Sequence, residues 1–227
     1  MGSMITVHHL ENSRSQRILW LLEELELDYE LKTYARDPKT SLAPPELAAV
    51  HPLGKSPVIT DGDVTMAESG AIVEYLLATH GQGKLRPEPG TEAFRRYLFW
   101  MHYAEGSLMP YLTMKLVFQR VAAAPVPFFL KPVTRGIAKK TNDSYLNVNL
   151  AKHVAYLEAE LGSRPWFTGD ELTGADIQMS FPVDALTARG RATFEMPALL
   201  AWIDKVKARP AYRRAEERGG TVEILSG

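Results

Sequence analysis

The stretch His51–Leu76 holds residue types whose spacing suits the binding of a small, extended ligand. It predicts a strand that opens on Ser56-Pro57, then a hairpin, then a helix whose first turn begins at Glu68-Ser69. A cis bond before the proline would leave the main-chain N–H and C=O of Ser56 free to pair with the ligand. A serine hydroxyl and open amide groups at a helix N-terminus would bind a carboxylate.

Each of these features also has a purely structural interpretation. Ser69 could cap the helix, and Glu68 could stabilise its positive end without any ligand. Proline is also tolerated at the first position of a strand, where the strand gives up only one hydrogen-bond donor. The combination of the two features, rather than either one alone, therefore indicates a binding site.

In combination, the strand that opens on a proline and the carboxylate-plus-hydroxyl turn resemble the glutathione site of glutathione S-transferases. The chain is similar to that family over nearly its whole length. The resemblance implies that the main chain of Ser56 pairs with the cysteinyl part of glutathione and that Pro57 holds the bend. It further implies that Glu68 and Ser69 bind the γ-glutamyl amine and carboxylate, and that Lys55 meets the glycyl carboxylate. The commonest family pattern has valine before the proline, but Ser56 would act through its main chain.

The same resemblance implies a hydroxyl donor for the glutathione thiol, because only the thiolate is a strong nucleophile. Lowering the thiol pKa by about two units needs roughly 2.7 kcal/mol of preference for the anion. The candidates between the first strand and the first helix are Asn12, Ser13 and Ser15. Similarity to serine-type transferases, counting back from Arg17, favours Ser13. Asn12 stays open as an amide donor, and either serine could instead cap the helix.

Composition is that of an ordinary globular protein, with 227 residues, 45% of them hydrophobic, and a formal net charge of −1. This balance gives no electrostatic reason to expect nucleic acid or an anionic membrane as a partner. Cysteine is absent, so any thiol must arrive with a ligand, and cysteine-type thioltransferase chemistry is excluded. The histidines are scattered, so no metal site is predicted. No apolar run has transmembrane length.

The strand and helix patterns predict an α+β fold in two parts. Residues 4–80 follow the order β-α-β-α-β-β-α, which is the thioredoxin-like order of the N-terminal, glutathione-binding domain of the family. Residues 81–90 are rich in glycine and proline and predict a linker. Residues 91–227 predict an all-helical domain, in which Pro110 must kink or divide the first long helix.

A capping box is the clearest local signal in the second part. Thr173 and Asp176 have the spacing at which a hydroxyl reaches the third amide of a helix while the acid reaches back. This motif resembles the buried capping motif of the family's helical domain. Pro182 is expected inside the helix that follows.

The electrophilic substrate is expected in the cleft between the domains, beside the long helix after the linker. Aromatic and pliable sulfur side chains suit varied apolar substrates. The candidates on that helix are Tyr103, Met109, Tyr111 and Met114. The alternative for each of them is that it packs the helical core.

The sequence therefore predicts a glutathione S-transferase that conjugates glutathione to small hydrophobic electrophiles in detoxification, with reduction of organic hydroperoxides as a further activity. Two alternatives stay open: a non-catalytic protein of the same fold that regulates or binds ligands, and a glutathione-dependent isomerase. The resemblance also implies a cytoplasmic homodimer.

Overall fold

A computed structural model describes residues 4–40 and 42–221 of the chain. The N-terminal part forms a four-stranded sheet of order β2-β1-β3-β4. Its strands are β1 (Ile5–Leu10), β2 (Tyr29–Tyr34), β3 (Val58–Asp61) and β4 (Val64–Ala67). Its helices are α1 (Gln16–Glu24), α2 (Pro45–Val50) and α3 (Ser69–Thr79). The element order is the predicted one, which confirms the thioredoxin-like arrangement.

Strand β1 lies inside the sheet, parallel to β2 and antiparallel to β3. Helix α1 packs on β1, and its residues 16–22 are all buried. A helix that is apolar nearly all round must be covered on more than one side. Accordingly, α1 packs against α3 and also against the helical part of the chain.

The second part of the chain is helical, as predicted. Its helices are α4 (Glu92–Tyr103), α5 (Met109–Ala122), α6 (Lys131–Thr141), α7 (Asn147–Ser163), α8 (Gly174–Gly190), α9 (Pro197–Lys207) and α10 (Pro210–Gly219). A π-helical turn, Ala104–Leu108, joins α4 to α5, and Pro110 is the second residue of α5. The first long helix is therefore divided just before Pro110, which is one of the two outcomes predicted for it.

The capping box at the start of α8 is also confirmed, and Pro182 lies inside that helix. Asp176 is fully buried and accepts hydrogen bonds from Thr173 N (2.9 Å), Thr173 Oγ1 (3.0 Å) and Phe167 N (2.8 Å). The carboxylate thus joins the first turn of α8 to the loop before it.

Helix α10 is the main element that the sequence did not predict. It packs on α1, and Arg209 at its start donates to both carboxylate oxygens of Glu24, at 2.5 and 2.8 Å. Residues 222–227, which complete the predicted helical domain, lie outside the described residues. Among the described helices, none is both long and apolar enough to cross a membrane.

Candidate active site

A cleft of about 230 Å³ lies where the turn before β3 faces the start of α3. Residues from four separate segments line it: Arg14, Leu53, Lys55, Ser56, Pro57, Ala67, Glu68, Ser69 and Glu105. The structure thus brings together the five residues that were predicted to bind glutathione. Glu105 reaches the same cleft from the helical part of the chain.

The Ser56-Pro57 turn leaves main-chain groups unpaired at the edge of this cleft. The peptide bond between the two residues is cis. The Ser56 side chain is turned towards β1, where it donates to the His8 carbonyl (2.9 Å) and accepts from Leu10 N (3.1 Å). Within the described residues, the Ser56 N–H and C=O make no hydrogen bond of their own. They are available to an extended ligand.

The opposite side of the cleft is the first turn of α3. The first hydrogen bond of this helix runs from Ile72 N to the Glu68 carbonyl, so the amides of residues 69–71 are not used by the helix. Ser69 is buried, and its Oγ accepts from Arg17 Nη1 and Gln178 Nε2, both at 3.3 Å. Because the oxygen is held by two donors, the hydroxyl proton is directed to a third group. This turn can bind a carboxylate.

Glu68 sits directly before that helix in a strained backbone conformation, with φ 71°. A positive φ at a residue other than glycine costs on the order of 1–3 kcal/mol and persists where the surroundings impose it. The strain places the exposed Glu68 carboxylate beside Ser69 at the rim of the cleft.

Two arginines hold Glu105 at the mouth of the cleft. Arg14 Nε lies 3.0 and 3.1 Å from its two carboxylate oxygens, and Arg17 Nη2 lies 2.5 Å from Oε1. Burial alone would raise the pKa of Glu105, but the charges of Arg17 and Arg14 outweigh it and keep the pKa below its ordinary value. Burial lowers the pKa of Arg17 to about 10, so the guanidinium stays charged at neutral pH.

Comparison with known proteins identifies the family. Residues 2–78 match the model of the glutathione S-transferase N-terminal domain, and residues 127–213 match that of the C-terminal domain. Glutathione S-transferase 3 of Schizosaccharomyces pombe is 36% identical over 95% of this chain and 88% of its own. The chain belongs to the glutathione S-transferase family.

Solved structures agree with this assignment. A glutathione S-transferase from Actinobacillus pleuropneumoniae is 33% identical, with a TM-score of 0.79 over 97% of this chain and 95% of that one. The theta class glutathione S-transferase from Xanthomonas axonopodis pv. citri, solved with glutathione bound, shares the fold at 23% identity, with a TM-score of 0.69 over 98% of this chain and 100% of its own. Since relatives above 30% identity over nearly the whole chain are glutathione S-transferases, the protein is an enzyme of this class.

The three candidate thiol donors of this transferase occupy different places. Asn12 is exposed, with φ 52°, and its carbonyl accepts from Arg36. Ser13 is buried and is not among the residues that line the cleft, but its Oγ lies 3.4 Å from the Oγ of Ser56, which does line it. Ser15 is fully buried and lies 2.7 Å from Ser13, oxygen to oxygen. Direct contact with a ligand therefore suits Ser13 or Asn12 better than Ser15.

The four candidate electrophile residues do not share one pocket. Tyr103 and Met109 are buried in the hydrophobic core, which is the alternative that the sequence left open for them. Tyr111 and Met114 instead line a second pocket of about 340 Å³, together with Gly106, Ser107, Pro110, Tyr145 and His153. Aromatic and methionine side chains occur both in pockets and in hydrophobic cores, so the residue types alone could not show which of the four line a pocket.

The pairing of Arg14 and Arg17 with Glu105 was not predicted from the sequence. Arg17 stands inside the apolar run of α1 yet is 1% exposed, and a charged residue in such a position must be paired. That signal was present in the sequence. The identity of the partner, Glu105, was not, because it lies 88 residues further along the chain.

Proposed function

We propose that this transferase binds glutathione in the cleft of about 230 Å³, activates its thiol as the thiolate, and adds it to small hydrophobic electrophiles. The observation that supports this most directly is the pairing, in one cleft, of the unpaired Ser56 main chain with the carboxylate-binding start of α3. An extended tripeptide between them would place its cysteinyl part at Ser56 and its γ-glutamyl end at Glu68 and Ser69.

The charges of the cleft match the charges of glutathione. The Glu68 carboxylate would bind the γ-glutamyl amine, while the Ser69 hydroxyl and the first amides of α3 would bind the adjacent carboxylate. Lys55, which is exposed at the other end of the lining, would meet the glycyl carboxylate. Each charged end of the ligand thus has an opposite charge or a donor within the same cleft.

Ser13 is the proposed hydrogen-bond donor to the thiolate. Its position next to Ser56 supports this role, because the cysteinyl part of the ligand would pair with the Ser56 main chain. The start of α1 follows three residues later and adds the positive end of a helix dipole. Both effects favour the thiolate over the thiol.

The pocket around Tyr111 and Met114 is the proposed site for the electrophile. It meets the glutathione cleft at consecutive residues, since Glu105 lines one and Gly106 lines the other. Replacing Tyr111 with Ala should raise the KM for chlorodinitrobenzene about tenfold while leaving the KM for glutathione within about twofold. Val133→Ala, on an exposed face of α6, is the control. An unchanged electrophile KM in Tyr111→Ala would remove this pocket from the proposal.

The central test is a pH titration of enzyme-bound glutathione, followed by the ultraviolet absorbance of the thiolate. The parent should lower the thiol pKa by about two units, and Ser13→Ala should lose most of that shift. A parent that binds glutathione without lowering the pKa would instead be the non-catalytic binding protein named above. If Ser13→Ala keeps the shift, Asn12→Ala is the next variant.

Several finer points stay predictions from the family resemblance. They are organic hydroperoxide reduction, glutathione-dependent isomerisation, a role in detoxification, homodimerisation and a cytoplasmic location. Assays with cumene hydroperoxide and analytical ultracentrifugation test the first and the fourth directly.

A further inference from the structure

A row of short hydrogen bonds leads from Ser13 into the interior of the protein. Ser13 Oγ lies 2.7 Å from Ser15 Oγ, which lies 2.8 Å from His9 Nδ1. The other ring nitrogen, His9 Nε2, lies 2.8 Å from the carbonyl oxygen of Gly219, the last residue of α10. All three side chains are buried, Ser15 and His9 almost completely.

The direction of each hydrogen bond follows from the carbonyl at its end. A carbonyl oxygen only accepts, so His9 Nε2 carries a hydrogen and donates to Gly219. In the neutral imidazole Nδ1 is then an acceptor, so Ser15 donates to His9. The Ser15 hydroxyl has only one hydrogen, so the 2.7 Å contact between the two serine oxygens is a hydrogen bond only if Ser13 donates to Ser15. The row therefore points from Ser13 towards α10.

This direction leaves Ser13 with a lone pair, and no hydrogen, for a ligand in the cleft. In that state Ser13 accepts from a thiol and cannot donate to a thiolate. Ser56 does not alter this conclusion. Its Oγ donates to the His8 carbonyl, so a hydrogen bond across the 3.4 Å to Ser13 would be donated by Ser13 and would again leave no hydrogen for the ligand. Stabilising the thiolate through Ser13 requires the whole row to reverse.

Building on the function proposed above, we infer that His9 is the remote acceptor of the glutathione proton and that Ser13 and Ser15 conduct the proton to it. The thiol proton passes to Ser13 Oγ, the Ser13 hydroxyl proton passes to Ser15 Oγ, and the Ser15 hydroxyl proton passes to His9 Nδ1. Three protons each move one step, so the net transfer is one proton from the thiol to His9; no electron is transferred, and each hydroxyl keeps one hydrogen. After the transfer, the hydrogen bonds point the other way: the imidazolium donates to Ser15, Ser15 donates to Ser13, and Ser13 donates to the thiolate.

The surroundings of His9 suit both of its protonation states. Burial lowers the pKa of His9 and outweighs the hydrogen bond to Gly219 and the charge of Glu11, which raise it. The ring is therefore neutral before it receives the thiol proton. Once protonated, the ring donates to the carbonyl end of α10, where a helix dipole favours a cation. Gln16 and Leu19 of α1, which lie beside Gly219 together with the ring, are uncharged.

Two substitutions distinguish a role of His9 in proton transfer from a purely structural role. His9→Asn keeps an acceptor near the Nδ1 position but cannot be protonated, and Ser15→Ala cuts the row while leaving Ser13 and His9 in place. Each should raise the pKa of bound glutathione by about one unit or more and lower kcat/KM about tenfold or more at a pH below that pKa. The double variant should lose no more than the single ones, because both break the same row.

His8→Asn is the matched control. His8 is the neighbouring buried histidine of β1, its side chain points to the other face of the sheet, and its Nδ1 lies 2.9 Å from Tyr34 Oη. It should leave the thiol pKa unchanged. If His9 has only a structural role, His9→Asn should lower the melting temperature and the affinity for S-methylglutathione. The pKa of bound glutathione should then stay unchanged.

The outcomes also distinguish this inference from the proposed function. If the parent does not lower the thiol pKa, the thiolate mechanism itself fails. If the parent lowers it and Ser13→Ala abolishes the effect, but His9→Asn and Ser15→Ala both keep it, then Ser13 works alone and the inference about His9 is wrong.

Discussion

Arg17 of α1 donates to Ser69 Oγ of α3 over 3.3 Å, and the same guanidinium is paired with Glu105. Because Gln178 of α8 donates to the same oxygen, residues from both parts of the chain fix the orientation of the Ser69 hydroxyl. A hydroxyl held in this way needs no reorganisation when a carboxylate arrives, which preserves binding free energy.

Ser69→Ala should therefore weaken glutathione binding about tenfold or more, because it removes a hydrogen bond to a charged ligand group. The loss should appear in the Kd measured by calorimetry with S-methylglutathione, whose blocked thiol leaves only the binding contacts. Thr65→Ala, on the exposed part of β4, should bind like the parent. Equal affinities for Ser69→Ala and the parent would place the γ-glutamyl carboxylate elsewhere.

Glu105→Gln should lower the free energy of unfolding by about 2–3 kcal/mol. Arg17 is 1% exposed, and removing its partner leaves a buried charge without compensation. Urea unfolding measures the change. Asp143→Asn, which breaks the exposed ion pair with Lys139, should cost less than about 1 kcal/mol in the same assay. Similar losses in the two variants would mean that Arg17 finds another partner or is hydrated.

The elements and the cleft were predictable because their signals are local in the sequence. Ser56-Pro57 and Glu68-Ser69 each combine two neighbouring residues whose chemistry is legible without knowledge of distant partners. The order of strands and helices in residues 4–80 was likewise predicted as observed.

What could not be predicted depends on contacts between distant segments. Periodicity indicates that α1 is covered, but not that α10 covers it, because the contact of Glu24 with Arg209 joins residues 185 apart. The contact of His9 with Gly219 joins residues 210 apart. For the same reason Tyr103 could not be assigned to the core before its neighbours were known.

Asp176 should make stability depend on pH in an unusual direction. Burial raises its pKa to about 6 in the folded protein, against opposing hydrogen bonds from Phe167 and Thr173, while the ordinary value is 3.8. A carboxyl whose pKa is raised by folding contributes its full stability at a pH below its pKa in the unfolded chain. That contribution is lost as the pH rises through its pKa in the folded protein. The parent should therefore lose about 2–3 kcal/mol from this group between pH 4 and pH 7.

Asp176→Asn isolates this contribution, because the amide does not titrate. The difference in free energy of unfolding between parent and variant, measured with urea, should shrink by that amount from pH 4 to pH 7, while other groups cancel. A difference that stays constant, or grows as the pH rises, would show that the carboxyl is ionised throughout and stabilised by its three donors.

Gly219→Ala should be destabilising, although alanine is the better helix former. A Cβ at this position would lie 2.3 Å from Leu19 Cδ1, 2.9 Å from Gln16 Oε1 and 3.2 Å from His9 Cε1, so these buried side chains must shift. Overpacking of this kind costs about 1–3 kcal/mol. Gly136→Ala is the matched control, since Gly136 lies inside α6 with open space around its Cβ position. That change should instead stabilise the protein by up to about 1 kcal/mol. Urea unfolding of the two variants should therefore give opposite signs, and a neutral Gly219→Ala would mean that Leu19 and Gln16 move aside at no cost.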